Sequence, residues 1–165
     1  MILARLFKPK PIPARLLYEA IVAAARQPWA YQDAKVPDTV DGRFDFLVLH
    51  LCLTLERLGQ EMPEFKQSLI DYFCTDMDDN LRELGAGDLS VAKKVRRMAE
   101  ALAGRFAAYD AARDNAAMEQ AIQRNVYGGK AGPGVAQLAT YAIAARGLLQ
   151  AQTLASLQIG KVRFA

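Results

Sequence analysis

Three short groups of residues carry types and spacings that could do chemistry. Asp76-x-Asp78-x-Asn80 copies the first three ligands of a calcium-binding EF-hand loop. The sixth loop position is Leu81, where the sharp turn needs glycine, and the twelfth is Gly87, where a bidentate glutamate should stand. Calcium is therefore not expected. Gly129-Lys130 has the look of a phosphate-binding loop, but Ala131 replaces the hydroxyl residue that should hold magnesium and Arg124 stands at the leading glycine. His50-x-Cys52 offers two metal ligands, yet on one helix these positions point about 200° apart. The sequence holds a single histidine, so a Ser-His-Asp or Cys-His mechanism would depend on it alone, and nothing places a nucleophile beside it. These residues predict a protein that is not an enzyme and carries no metal or cofactor, with His50 a polar insert on a core helix.

What remains is charge. Asp76, Asp79 and Glu83, with Asp78 nearby, are spaced for one helix face, and Lys93, Arg96 and Arg97, with Lys94 on the flank, for the face of the next. A solvated surface is the plain reading of both. The sharper readings are docking of an acidic protein surface or of a nascent chain at a ribosome, adsorption on anionic lipid, or contact with RNA phosphates. Carboxylates beside the basic stripe argue against broad phosphate binding, so direct nucleic-acid binding is not expected. Asp79 or Glu83 facing Lys94 or Arg97 across the turn would instead let the two helices satisfy each other, orienting the hairpin more than stabilising it.

These clusters must be positioned by helices. The chain has 165 residues, enough for one domain with a sizeable core, and its 52% hydrophobic and 24% charged residues are those of a globular protein. A net charge of +3 by itself predicts no polyanion partner. Cys52 and Cys74 sit in apolar surroundings and read as free thiols of a reducing compartment. Met1 to Phe7 is too short for the apolar core of an export signal. The longest apolar stretch, Phe44 to Leu58, is interrupted by Asp45, His50, Thr54, Glu56 and Arg57, where a membrane span needs roughly 20 mostly apolar residues.

Periodicity then divides the chain. Residues 1–13 are expected to be an extended segment held by Pro9, Pro11 and Pro13, followed by a helical domain over 14–157 and a tail over 158–165. Helices are expected from Ala14 to Gln27, after a cap at Asp41, from Pro63 to Gly85, from a cap at Asp88 through Tyr109, from Ala111 to Val126 and from Val135 to Leu157. Phe44, Leu47, Val48, Leu51, Leu55 and Leu58 form an apolar stripe, so the second of these helices should be the centre of the core. The third should bury Phe65, Leu69, Tyr72, Phe73, Met77, Leu81 and Leu84. Trp29 and Tyr31 should anchor the loop after Pro28, and Tyr127 to Gly134 is the segment expected to be most open to nicking. The fold class is all-α, a single-domain irregular bundle of about six helices.

Certain of these residues resemble a known family. Val36-Pro37-Asp38-Thr39-Val40-Asp41-Gly42-Arg43-Phe44-Asp45, Val48-Leu49-His50-Leu51, Asp76-Met77-Asp78 with Leu81-Arg82-Glu83-Leu84-Gly85, and Gly87-Asp88-Leu89 before Lys93, Lys94, Val95 and Met98 are similar to the ubiquinol-cytochrome c reductase chaperone family. The resemblance is strong from Ala14 to Tyr109, with Arg124 to Gly128 a weaker echo. It implies an all-helical, non-catalytic assembly factor that binds the cytochrome b subunit during biogenesis of the respiratory bc1 complex. Mitochondrial members work with a small partner protein near the ribosomal exit. This sequence has no long targeting extension and so looks like a bacterial member, acting in the cytoplasm at the face of the inner membrane. Arg43, Asp76, Asp78, Arg82, Lys93, Lys94 and Arg97 are the residues expected to line the client or partner surface. The rival expectation is a peripheral helical protein associated with lipid or quinone.

Overall fold

The computed structural model describes residues 12–165. The extended segment expected over residues 1–13 lies outside them except for Ile12 and Pro13, which already belong to the first helix. Among the described residues eight helices follow one another: α1 (Ile12–Ala25), α2 (Pro28–Gln32), α3 (Val40–Leu58), α4 (Pro63–Glu83), α5 (Asp88–Ala111), α6 (Asn115–Asn125), α7 (Pro133–Ala151) and α8 (Leu154–Gln158). Six are long and two have five residues, and no strand occurs among the described residues. The protein is an all-α bundle.

The apolar stripe along α3 proves to be only part of what that helix buries. Phe46, Leu49, Cys52 and Leu53, which lie off the stripe, are as buried as Leu51 and Leu55. A helix that is apolar on every side must be covered on every side, and α3 packs against α1, α4, α5 and α7. Fully burying each large side chain is worth about 1.5–3 kcal/mol, so α3 is the centre of the core.

Two fully buried polar groups, His50 and Thr54, interrupt the core side of α3, and each is satisfied. Thr54 donates back to His50 O at 2.9 Å. His50 is fully buried; its Nδ1 lies 2.9 Å from Phe46 O and its Nε2 2.7 Å from the Tyr141 hydroxyl on α7. A carbonyl can only accept, so Nδ1 donates and Nε2 accepts from Tyr141. Phe46 and Phe164 set their rings edge-on to the imidazole at 4.5 and 4.7 Å between centroids. His50 is therefore the polar insert expected, built into an aromatic cluster that also includes Trp29 against Tyr141.

Boundaries depart from periodicity where capping and tertiary bonds decide them. Thr39, not Asp41, caps α3: its hydroxyl accepts from Gly42 N at 3.1 Å, and Asp41 lies in the first turn. The first helix ends at Ala25 because Gln27, preceding Pro28, is extended. The expected single helix from Val135 to Leu157 breaks at Gln152, and Thr153 caps α8 by accepting from Ser156 N. Arg57 holds that break, donating to Leu149 O at 3.0 Å and Gln152 O at 2.8 Å. Arg146 does the same for the α5 terminus, donating to Tyr109 O and Ala112 O while pairing with Glu56 at 3.0 Å. The fifth expected helix likewise starts later, at Asn115, with Asp114 accepting from Ala117 N.

The glycine loop after α6 is tied down. Tyr127 donates to Ala34 O at 2.7 Å, and Gln123 accepts at its backbone from Gly129 N while its amide donates back to Gly129 O. A β-carbon on Gly134 would stand 1.8 Å from Ala34 O, and one on Gly42 1.9 Å from Pro37 O. The tail is docked as well, through Gln152 to the Arg163 backbone and Phe164 onto His50.

Two outcomes are expected. Gly42→Ala and Gly134→Ala should each cost at least about 1–3 kcal/mol, because backbone must move to admit the methyl group. Gly104→Ala, mid-helix in α5 with open space around it, should instead stabilise by about 0.5–1 kcal/mol; urea midpoints at constant slope check all three. The second concerns acid. Burial lowers the His50 pKa to about 4, so between pH 6.5 and 4 the unfolded chain takes up a proton that the folded chain refuses. Stability from the neutral ring is present above pH 6.5 and lost toward pH 4, amounting to about 3 kcal/mol for a shift of this size. Desolvation raises the Asp45 carboxyl to about 6 against the pull of Arg105. Its contribution has the opposite sign, growing as pH falls through 6, but it is shared by variants at His50. The stability advantage of the native chain over His50→Gln should therefore narrow from pH 7 to pH 4, and a constant difference would refute the neutral buried ring.

Candidate interaction surface

The charged segment from Asp76 to Met98 forms the end of α4, a turn and the start of α5. Leu84 ends α4, and Gly85 turns the chain with φ +82°, a left-handed conformation that favours glycine. Gly87, not Asp88, is the N-cap of α5, and it makes no side-chain cap bond. Asp88 is the first helical residue and is spent otherwise: its carboxylate accepts from Arg82 Nη1. Arg82 Nε also reaches Asp78 Oδ2 at 2.5 Å, so one guanidinium ties α4 across the turn to α5. Those two bonds raise the Arg82 pKa, the Asp78 contact most. The turn is thus closed by Arg82 rather than by the expected pairing of Asp79 or Glu83 with Lys94 or Arg97.

The residues expected to line one surface separate into three sets. Asp78 and Arg82 knit the turn. Lys93, Lys94 and Arg97 stand exposed along α5 without an ion pair among the described residues, whereas Arg96 pairs with Glu100 at 3.1 Å. Arg43 and Asp76 lie instead on the rim of a groove of about 450 Å³ between α1, α3 and α4. There Arg43 is held by Asp38 at 2.7 Å and sits 5.5 Å from the Tyr31 ring centre. Asp76 accepts from the Tyr18 hydroxyl at 2.7 Å, and burial followed by that bond raises the Tyr18 pKa.

The groove itself escaped sequence reasoning. Val22, Val40, Phe44, Leu47, Met77, Leu81, Leu84 and Met98 give it an apolar lining. Leu84, expected on the inner face of its helix, is 69% exposed, and Val40 is 65% exposed. The one signal available was that Leu81 and Leu84 continue the α4 stripe to its last turn, beyond the reach of the core. Leu69, Phe73 and Met77 are buried as expected, and on α5 Val91, Leu102 and Tyr109 are buried too. No described helix is long and apolar enough to cross a membrane, and no group of metal-ligating side chains occurs among the described residues.

The cap assignments carry a prediction. Asp114→Ala should cost about 0.5–2 kcal/mol, the loss expected for an N-cap that accepts a backbone bond, while Asp88→Ala should lower the urea midpoint by only a small fraction of that. Equal losses would return the capping role to Asp88.

A family model described as ubiquinol-cytochrome C chaperone matches residues 32–164. Among solved structures, the Cbp3 homolog from Brucella abortus shares 34% sequence identity and superposes with a TM-score of 0.83, over 100% of this chain and 97% of that one. No curated protein gives a significant match. The matched region takes in α3, the α4–α5 hairpin, α7 and the part of the groove's lining that comes from α3, α4 and α5.

Proposed function

Because the chain belongs to the ubiquinol-cytochrome C chaperone family, we propose that it binds the cytochrome b subunit during assembly of the bc1 complex and does so without catalysis. The supporting observation is the α4–α5 hairpin. It lies within the family match, its geometry is fixed by Arg82, and it presents Lys93, Lys94 and Arg97 with their charges uncommitted among the described residues. A cation already paired within the protein offers little to a partner; three on one exposed stretch of α5 offer complementary charge and faster encounter. Arg43, Asp76, Asp78 and Arg82 complete the proposed surface, the first two at the adjacent groove and the last two by holding the turn.

A holding role also suits the rest of the molecule. His50 and Cys52 are buried in α3, where burial pushes the Cys52 thiol up from its ordinary value and the imidazole down, so neither presents a reactive group at the surface. Newly made membrane protein reaches the bilayer from the cytoplasm, so a chaperone of cytochrome b would act at the cytoplasmic face of the inner membrane. A ribosome or a small partner protein would meet the same basic face.

The reading is tested by reversing Lys93, Lys94 and Arg97 together to Glu. Helicity and melting should survive, because all three side chains are exposed, while crosslinking in cells should capture cytochrome b at least about tenfold less, as removal of several complementary charges implies. Capture equal to the native chain, with folding intact, would remove the basic face from the mechanism. Lost sedimentation with anionic liposomes alongside unchanged capture would assign that face to lipid.

A further inference from the structure

The groove beside the hairpin has features that specify what could fill it. Its walls are helical: Val22 and Ala25 come from α1, Tyr31 from α2, Val40 to Leu47 from α3, Met77 to Glu83 from α4 and Met98 from α5. Along Phe44, Leu47, Met77 and Met98, which lie inside their helices, the wall has spent its backbone donors and acceptors within the helix, and no sheet edge occurs among the described residues. An extended chain laid in it would leave its own N–H and C=O groups without partners, which is costly away from water. A helix arrives with those groups already paired and brings only side chains.

Charge divides the rim. Arg26 and Arg43 stand on the α1 and α3 side, and Asp76 and Glu83 on the α4 side. Arg43 is held by Asp38 and Asp76 by Tyr18, whereas Arg26 and Glu83 make no ion pair among the described residues. Arg26 just past α1 and Glu83 on α4 thus line the same apolar groove without an ion pair among the described residues. Met77 and Met98 contribute unbranched thioether chains, which adapt to side chains of differing shape.

We propose that the groove holds an amphipathic helix of the client, its apolar stripe bordered by basic side chains toward α4 and by acidic side chains toward α1 and α3. The identity of the client rests on the function proposed above; the binding chemistry does not. Val40 and Leu84, exposed at the mouth, would be covered by the apolar stripe. An anionic lipid would meet Asp76 and Glu83. Residues 1–11 of this chain contain Arg5, Lys8 and Lys10 and no acidic residue, so they match only one wall.

The probe is a fluorescein-labelled 18-residue peptide with Leu at i, i+3, i+4 and i+7 through its length, one border Lys and the other Glu. Two further peptides have both borders Lys or both Glu. Anisotropy with the full chain should show the mixed peptide binding about tenfold tighter than either, a difference set by one well-placed charge pair. Val40→Asp and Leu84→Asp, both at exposed positions and verified by melting, should each weaken it at least about tenfold. Glu83→Lys should transfer preference to the all-Glu peptide, and Arg26→Glu to the all-Lys peptide. Equal affinity for all three peptides, or binding indifferent to Leu84→Asp, overturns the proposal. So does a several-fold gain on replacing Leu3, Leu6 and Phe7 by Ser, which would make this chain's own first residues the occupant, or a dimer abolished by Leu84→Asp, which would make it a second copy. Crosslinking in cells separates the two readings. If Leu84→Asp loses the peptide but captures cytochrome b as the native chain does, the groove is not the client site and the proposed function stands. If the native chain binds the peptide but captures no cytochrome b, the proposed function falls and the groove's chemistry stands.

Discussion

The structure depends on burying α3 from all sides. Leucines at positions 47, 49, 51, 53, 55 and 58, with Phe46 and Val48, leave that helix no solvated face beyond its first turn. It therefore recruits α1, α4, α5 and α7 around it, and each of those needs only one apolar stripe. Their outer faces are free to carry charge, which is why the basic run on α5 can be exposed without cost to the core. The polar groups forced inside by this arrangement, His50 and Thr54, are satisfied by backbone and by Tyr141.

Arginines solve the second problem that such a bundle creates, the unpaired carbonyls at helix ends close to the core. Arg57 takes those of α7 and Arg146 those of α5, and Glu56 neutralises Arg146 at 3.0 Å. A planar fork of donors suits this task better than an ammonium group would. Arg105 adds a half-buried pair with Asp45 at 2.6 Å and lies 5.5 Å from the Phe44 ring centre, fixing α5 against the start of α3. None of these is legible from spacing, because the partners are separated by up to 95 residues.

What was legible followed from local rules. The 3.6-residue period exposed the α3, α4 and α5 faces, and Pro63 and Gly85 marked their ends. Errors arose where two neighbouring residues could do the same job: Thr39 and Asp41 both suit an N-cap, as do Gly87 and Asp88, and only backbone geometry decides between them. The break at Gln152 has no glycine or proline to announce it; it is held by Arg57 and by the Arg163 backbone. For the candidate surface, residue types were readable and their grouping was not. Arg43 and Asp76 meet at a groove because α1 lies beside both α3 and α4, a fact of topology rather than pattern.

The hairpin and the groove differ in what they can contribute to holding a client. Exposed lysines and arginines raise the rate of encounter and lose force with added salt. The apolar floor acts only at contact and is not screened by salt, and its strength scales with the area covered. Val40 and Leu84, left 65% and 69% exposed, are side chains that folding has not used, next to a turn that Arg82 holds in place. A surface of this kind combines early, long-range attraction along α5 with later, short-range burial beside α4. On the proposed reading it would grip a segment for later release, since release would require only that new surroundings bury the same apolar stripe better.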